Sequence, residues 1–137
     1  MPLILEIVTP EKRAYNNLGV ERVKLPTVEG EIEVLPGHIP LVCMVHPGEV
    51  RIDTGSGYSS IAIDKGFAEI YGDKISILTE GAIDVQDIDL EEATKAEQRA
   101  LEAIRKAQKE DMDPAEIEKL ESIVRFSLAQ KLLKKNQ

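Results

Sequence analysis

The sequence predicts an α+β chain: a mainly β N-terminal part, residues 1–84, folded as an antiparallel two-sheet β-sandwich or flattened barrel, then an antiparallel two-helix hairpin over residues 87–137. Three observations carry this reading. Turn chemistry is confined to the first part, since all nine glycines lie between Gly19 and Gly81, six of the seven prolines precede residue 48, and the tail holds only Pro114. Within that part apolar residues come in short alternating runs separated by turn signals, the pattern of half-buried strands. Beyond residue 87 the apolar spacing changes to three and four, that of one helix face. Strands so closely spaced leave no room for the helical crossovers of a parallel sheet, which favours antiparallel pairing.

Strands are expected at 3–8, 19–25, 31–35, 41–45, 49–53, 59–64, 67–71 and 74–78. Gly55-Ser56-Gly57, Asp64-Lys65-Gly66 and Gly72-Asp73-Lys74 supply turns between them. The stretch from 30 to 42 is the most distinctive. Ile32 and Val34 point to one face of a short strand and Glu31 and Glu33 to the other. Pro36 fixes its own φ, Gly37 accepts a positive φ, and His38 is thereby presented at a defined loop tip before Pro40 leads into the next strand.

In the tail, Ala93, Ala96, Ala100, Ile104 and Ala107 form one helical stripe, and Ile117, Leu120, Val124, Leu128 and Leu132 a second. Asp89 with Glu92, and Asp113 with Glu116, fit capping boxes, and Pro114 fits the first helical position. The break at 109–113 makes the helices a hairpin. Because the first stripe is mostly alanine, little apolar surface is available to hold the hairpin, so its docking is expected to be reversible.

The net charge of −8 is unevenly placed. Residues 1–86 carry seven Lys or Arg against thirteen Asp or Glu, and residues 87–137 carry ten against twelve. An acidic chain without a basic aromatic patch argues against nucleic acid as a partner. From Ser122 onward, however, Arg125, Lys131, Lys134 and Lys135 occur with no acid. Cations at a helix C-terminus match the helix dipole, and the same run also suits an acidic partner.

Other chemistry is sparse. The single cysteine, Cys43, sits among Leu41, Val42, Met44 and Val45 and reads as a small buried hydrophobe. There is no signal-peptide pattern and no apolar run of the ~20 residues needed to cross a bilayer, so membrane attachment is expected only through partners. No phosphate-cradling loop, histidine pair or cysteine cluster appears, and no catalytic site or metal is expected. His38 with Glu31 is too slight a pair for a metal, and His46 beside Pro47-Gly48 reads as a turn residue.

The run Gly-Glu-Ile-Glu-Val-Leu-Pro-Gly-His-Ile-Pro-Leu from Gly30 to Leu41 resembles the signature loop of the epsilon subunit of bacterial rotary ATP synthases. The resemblance continues through Ala62-Ile63-Asp64-Lys65-Gly66-Phe67-Ala68-Glu69-Ile70 and extends over essentially the whole chain. It implies a non-catalytic rotor subunit of the central stalk, peripheral on the cytoplasmic face of the bacterial plasma membrane. The sandwich would hold the gamma subunit, with the loop bearing Glu31, Pro36, Gly37 and His38 at the gamma and c-ring contact. The hairpin would extend to inhibit hydrolysis, bringing Arg125, Lys131, Lys134 and Lys135 to the alpha/beta catalytic head.

Some epsilon subunits bind ATP through Ile/Leu-Asp-x-x-Arg-Ala at the first helix, and the resemblance points to Ile88, Asp89, Ala93, Arg99 and Arg125 for that role. Here Glu92 stands where the motif has arginine. At ~4 Å, exchanging attraction for repulsion between unit charges is worth several kcal/mol at an effective dielectric of about 20. No cofactor is expected, therefore, and ATP only as a weak regulatory ligand. The alternative is a free-standing β-sandwich that binds a peptide or metabolite; it would purify alone rather than with a large ATPase.

Overall fold

The computed structural model describes residues 2–136. The chain divides into two compact units, the first ending at Asp84 and the second beginning at Val85.

The first unit contains ten strands: β1 (Leu3–Val8), β2 (Arg13–Val20), β3 (Arg22–Thr27), β4 (Gly30–Val34), β5 (Leu41–Val45), β6 (Gly48–Asp53), β7 (Tyr58–Ile63), β8 (Gly66–Tyr71), β9 (Lys74–Thr79) and β10 (Ala82–Asp84). They run in the order β10-β7-β6-β3-β5-β8-β9-β1-β2, with β4 also paired to β3. β3 and β5 share only the pair Thr27↔Val45. That narrow junction is the corner at which one layer of the sandwich passes into the other.

Alternation decides which side chains fill the space between the layers. Leu3, Leu5 and Ile7 of β1, Ile75 and Ile77 of β9, Val23 and Leu25 of β3, and Ile52 of β6 are all completely buried. Residues of one strand lie two positions apart, so one face of each of these strands enters the core. Cys43 packs against this cluster from its edge. Cys43 is half-buried rather than enclosed as expected, and burial, with a further contribution from the Glu29 charge, pushes its thiol pKa up.

Three features depart from the sequence expectation. The single strand expected at 19–25 is two strands, β2 and β3, separated at Glu21. Asn16, Asn17 and Gly19 carry turn chemistry, yet β2 is a sheet-end strand whose pairing with β1 is interrupted by register shifts between Leu3 and Leu5 and between Ile7 and Val8. Such irregular pairing tolerates residues that a central strand would reject. β10 was not anticipated, because three residues are too few to display a period. Finally, β1 and β9 pair in parallel, in register from Ile4↔Lys74 to Val8↔Leu78, while every other strand pair described is antiparallel. The rest of the sandwich serves as their long crossover, so no helix is needed.

The second unit comprises a 3-10 turn at Val85–Asp87, then α1 (Leu90–Lys109) and α2 (Pro114–Lys135). Asp89 caps α1 by accepting from the amides of Glu91 at 2.9 Å and Glu92 at 3.3 Å. Asp113 caps α2 by accepting from Ala115 N at 3.0 Å, and Pro114 sits just inside that helix. α1 ends with Asp111 at φ 57°, which lets the Met112 amide reach back to the Ala107 carbonyl at 3.1 Å. This is a Schellman closure with aspartate where glycine is usual.

The seam of the hairpin corrects the second helical stripe. Ala93, Ala100 and Ala107 are buried on α1, but the buried residues of α2 are Ser122 and Ser127. Leu128 and Leu132, expected in the stripe, are 42% and 60% exposed. Apolar side chains are distributed almost all round α2, so its periodicity does not single out one face. Small side chains opposite the alanines allow close approach of the helices, and the larger leucines lie outside that contact.

Candidate functional site

Three surfaces carry the features of a binding protein. The first is the outer face of β5, β8 and β9. Met44 is registered with Phe67 and Phe67 with Leu78, so these three side chains form a row across the sheet. Each is 53% exposed. Val42 at 69% and Tyr71 at 72% are also exposed on this face, where the exposed Glu69 is registered with Val42 and lies between Phe67 and Tyr71 on β8. Beside the row lies an apolar depression of ≈ 470 Å³, which Val8, Pro10, Val45 and Gly66 also line. The row of three exposed apolar side chains stands out on a chain of net charge −8. Its signal in the sequence is β5, Leu-Val-Cys-Met-Val, where both alternating faces are apolar.

The second surface is the loop after β4. The amide of His38 donates to the Leu35 carbonyl at 3.1 Å, with Gly37 at φ 84°. Pro36 and Gly37 thus occupy the central positions of a type II turn. The His38 ring Nδ1 donates to the Ile39 carbonyl at 2.6 Å. Glu31 and Glu33 are exposed on β4, while Val34 is completely buried and roots the strand in the core. Arg22 steadies this edge, with its Nε donating to Asp53 Oδ2 at 2.9 Å and its Nη1 3.3 Å from Glu33 Oε1. Leu35 and Ile39 flank the turn at 51% and 74% exposure. Among the described residues no cluster of His, Cys, Asp or Glu is arranged to hold a metal.

The third surface is the hairpin. Its basic residues are not equivalent. Among the described residues Arg125 pairs with Glu121 at 3.9 Å, both half exposed, and Lys135 is exposed. Lys131 faces Glu97 of α1 at 3.6 Å, with the two side chains 23% and 15% exposed. Lys134 Nζ donates to the carbonyls of Val85 at 3.2 Å and Gln86 at 3.1 Å.

Of the residues considered for a nucleotide, Ile88 and Ala93 are both 4% exposed and pack within the hairpin unit. Asp89 is committed to its helix cap. Arg99 lines a small cavity of ≈ 270 Å³ with Ala96, Ala100, Leu120 and Ile123, and Arg125 is not part of that lining. The side chain of Glu92 is 66% exposed and lies 4.0 Å from Lys95.

Residues 2–85 match the family described as ATP synthase, Delta/Epsilon chain, beta-sandwich domain. The chain is 40% identical over 114 residues to the ATP synthase epsilon chain of Halalkalibacterium halodurans, covering 82% of this chain and 85% of that one. It is 42% identical over 98 residues to the ATP synthase epsilon chain of Staphylococcus aureus, covering 72% and 73% respectively. Among solved structures, a chain of the Euglena gracilis mitochondrial ATP synthase assembly comprising OSCP, F1 and c-ring aligns with a TM-score of 0.74. That alignment covers 96% of this chain and 80% of the other at 24% identity, a likeness of fold. A chain of the central stalk and c-ring assembly of the Tetrahymena thermophila mitochondrial ATP synthase aligns with a TM-score of 0.54 at 17% identity, covering 64% and 69%.

Proposed function

The chain belongs to the ATP synthase delta/epsilon family, and from that premise we propose that its sandwich docks on the gamma subunit through the Met44–Phe67–Leu78 row. It is an accessory, non-catalytic central-stalk subunit of the rotary enzyme; ATP chemistry belongs to other chains. The free-standing module drops out as a reading.

The observation that carries the docking assignment is the apolar row itself. Three large side chains, each 53% exposed and registered across adjacent strands, lie on a scaffold whose opposite face is buried in the core. A rigid sheet presenting aromatic and thioether side chains loses little conformational entropy on association. The turn at Leu35–His38, with Glu31 beside it, would meet the c ring and the adjoining part of gamma, where its exposed apolar and acidic side chains suit a mixed interface. Arg125, Lys131, Lys134 and Lys135 would meet the catalytic head when the hairpin extends. Among the described residues no helix is long and apolar enough to cross a membrane, and peripheral attachment at the cytoplasmic face would come through the c ring.

The test is Phe67→Asp, which buries a charge in the docked interface while leaving the core untouched. Its affinity for gamma is expected to fall about a hundredfold, the scale of a central interface residue, with an unchanged circular dichroism spectrum. Wild-type affinity in that variant would refute docking through this face.

ATP is at most a weak regulatory ligand. Glu92 places a negative charge in the first turn of α1, where a phosphate would otherwise find a cation. Titration calorimetry of the intact chain is expected to give a dissociation constant weaker than low micromolar. Low-micromolar binding would contradict this.

A further inference from the structure

We propose that Lys131 and Lys134 form a clasp that holds the hairpin closed, and that an acidic partner segment engages these two cations only by displacing Glu97 and the carbonyls of Val85 and Gln86. The partner half of this inference rests on the rotor reading above, whereas the clasp half concerns the isolated chain.

Lys131 and Lys134 are three residues apart, so they project from the same side of α2. The hairpin is antiparallel, which brings the last turns of α2 beside the start of α1 and the 3-10 turn that precedes it. There Lys134 donates to the carbonyls of Val85 at 3.2 Å and Gln86 at 3.1 Å. Lys131 approaches Glu97, whose Oε2 is buried and accepts no hydrogen bond. That oxygen is therefore compensated chiefly by the ammonium 3.6 Å away. The other ion pairs of the hairpin, Lys95 with Glu92 and Arg125 with Glu121, are at least half exposed on both sides and lie within single helices. They do not tie one helix to the other.

At this end of the hairpin unit Val85, Ile88 and Ala93 are also buried. The buried residues of α1 and α2 are alanines and serines, and Leu128 and Leu132 are 42% and 60% exposed. The polar clasp adds to this burial in holding the hairpin closed. Opening the hairpin separates Lys131 from Glu97 and Lys134 from the 85–86 carbonyls together. The two cations are thus withheld from outside partners in the closed state and released in the open one, and an acidic segment that binds them shifts the population toward opening by mass action. Arg125 and Lys135, exposed in the closed state, remain available for a first encounter.

The two halves separate experimentally. In the intact isolated chain, hydrogen exchange is measured on Glu97→Gln, Lys134→Met, and the charge-swapped pair Glu97→Lys with Lys131→Glu. The first two are expected to speed exchange of α1 and α2 amides about tenfold while sandwich amides keep their protection. The swap is expected to restore wild-type protection, an outcome that dipole matching alone would not give, since glutamate near the end of α2 opposes the dipole. Unchanged exchange in both single variants, or no rescue by the swap, overturns the clasp. In the reconstituted ATPase, Glu97→Gln breaks the clasp yet keeps both lysines, so hydrolysis is expected to fall severalfold below wild type. Faster exchange with unaltered hydrolysis overturns the competition. Failure of the rotor reading would look different, because the wild-type chain would then not associate with the ATPase at all while the exchange results stood.

Discussion

Removing residues 88–137 leaves the chain able to join the ATPase and raises ATP hydrolysis by about tenfold. Assembly survives because the core cluster and the side chains packed on it run from Leu3 to Ala82 and include nothing from the hairpin. The docking row of Met44, Phe67 and Leu78 likewise belongs wholly to the strands. Hydrolysis rises because the element that would obstruct rotation is gone. If the obstructed state holds about nine-tenths of the enzyme, it is favoured by about 1.4 kcal/mol, and its removal returns that population to turnover. A bias of this size suits a seam of alanine and serine, whereas a leucine-packed seam would lock the hairpin in one state. Gel filtration of the reconstituted complex reads assembly, and a coupled assay reads turnover. Loss of the truncated chain from the complex would make the hairpin a structural requirement instead.

Gly66→Ala destabilises the sandwich by about 3 kcal/mol, enough to lower the melting temperature by about 15 °C in a domain of this size. A Cβ at this position would overlap the backbone carbonyl oxygen of Leu78 and come within 2.8 Å of Thr79 Cα. Neither obstacle can rotate away, because β8 and β9 are paired at this point through Gly66↔Thr79. The same corner is fixed by the buried Thr79 hydroxyl, which lies 2.8 Å from the Asp64 carbonyl and thereby ties β9 to the turn before β8. Gly72 provides the contrast. It has φ 61° and nothing within 4 Å of its would-be Cβ, so Gly72→Ala costs only the left-handed backbone penalty of about 1 kcal/mol. Thermal melts of the two variants side by side separate steric exclusion from conformational preference; equal losses would refute the close-approach account of Gly66.

Position 66 also illustrates what the sequence discloses. That glycine ends a turn was legible from Asp64-Lys65-Gly66, but that a neighbouring carbonyl forbids any side chain there is a tertiary fact. The Leu35–His38 turn was legible in full, since proline followed by glycine selects a type II turn by local sterics alone. The helix caps at Asp89 and Asp113 were legible for the same reason. β2 was not, because pairing with β1 outweighs the local preference of Asn16, Asn17 and Gly19 for turns. Nor was the parallel pairing of β1 with β9, which joins segments at opposite ends of the first unit.

The hairpin seam eluded periodicity because α2 is apolar on several faces, and the fit to alanine selected Ser122 and Ser127. Among candidate site residues, the sequence identified Lys131 and Lys134 as cations but could not distinguish them from Arg125 and Lys135. Only the packing of α2 beside α1 reveals that the former two are engaged within the hairpin. The outer row escaped notice because Met44, Phe67 and Leu78 lie far apart in sequence and meet only through strand register.

The central claim is mechanical: a fixed sandwich grips the rotor while the hairpin changes posture. ATP hydrolysis by the assembled enzyme, with the hairpin locked shut, tests it most directly. Ala100→Cys and Ile123→Cys, positions that line one cavity between the helices, provide the lock in a Cys43→Ala background. The oxidised enzyme is predicted to hydrolyse ATP as fast as the enzyme lacking residues 88–137, and to slow again when the disulfide is reduced. Identical slow hydrolysis in the oxidised and reduced enzymes would contradict the account.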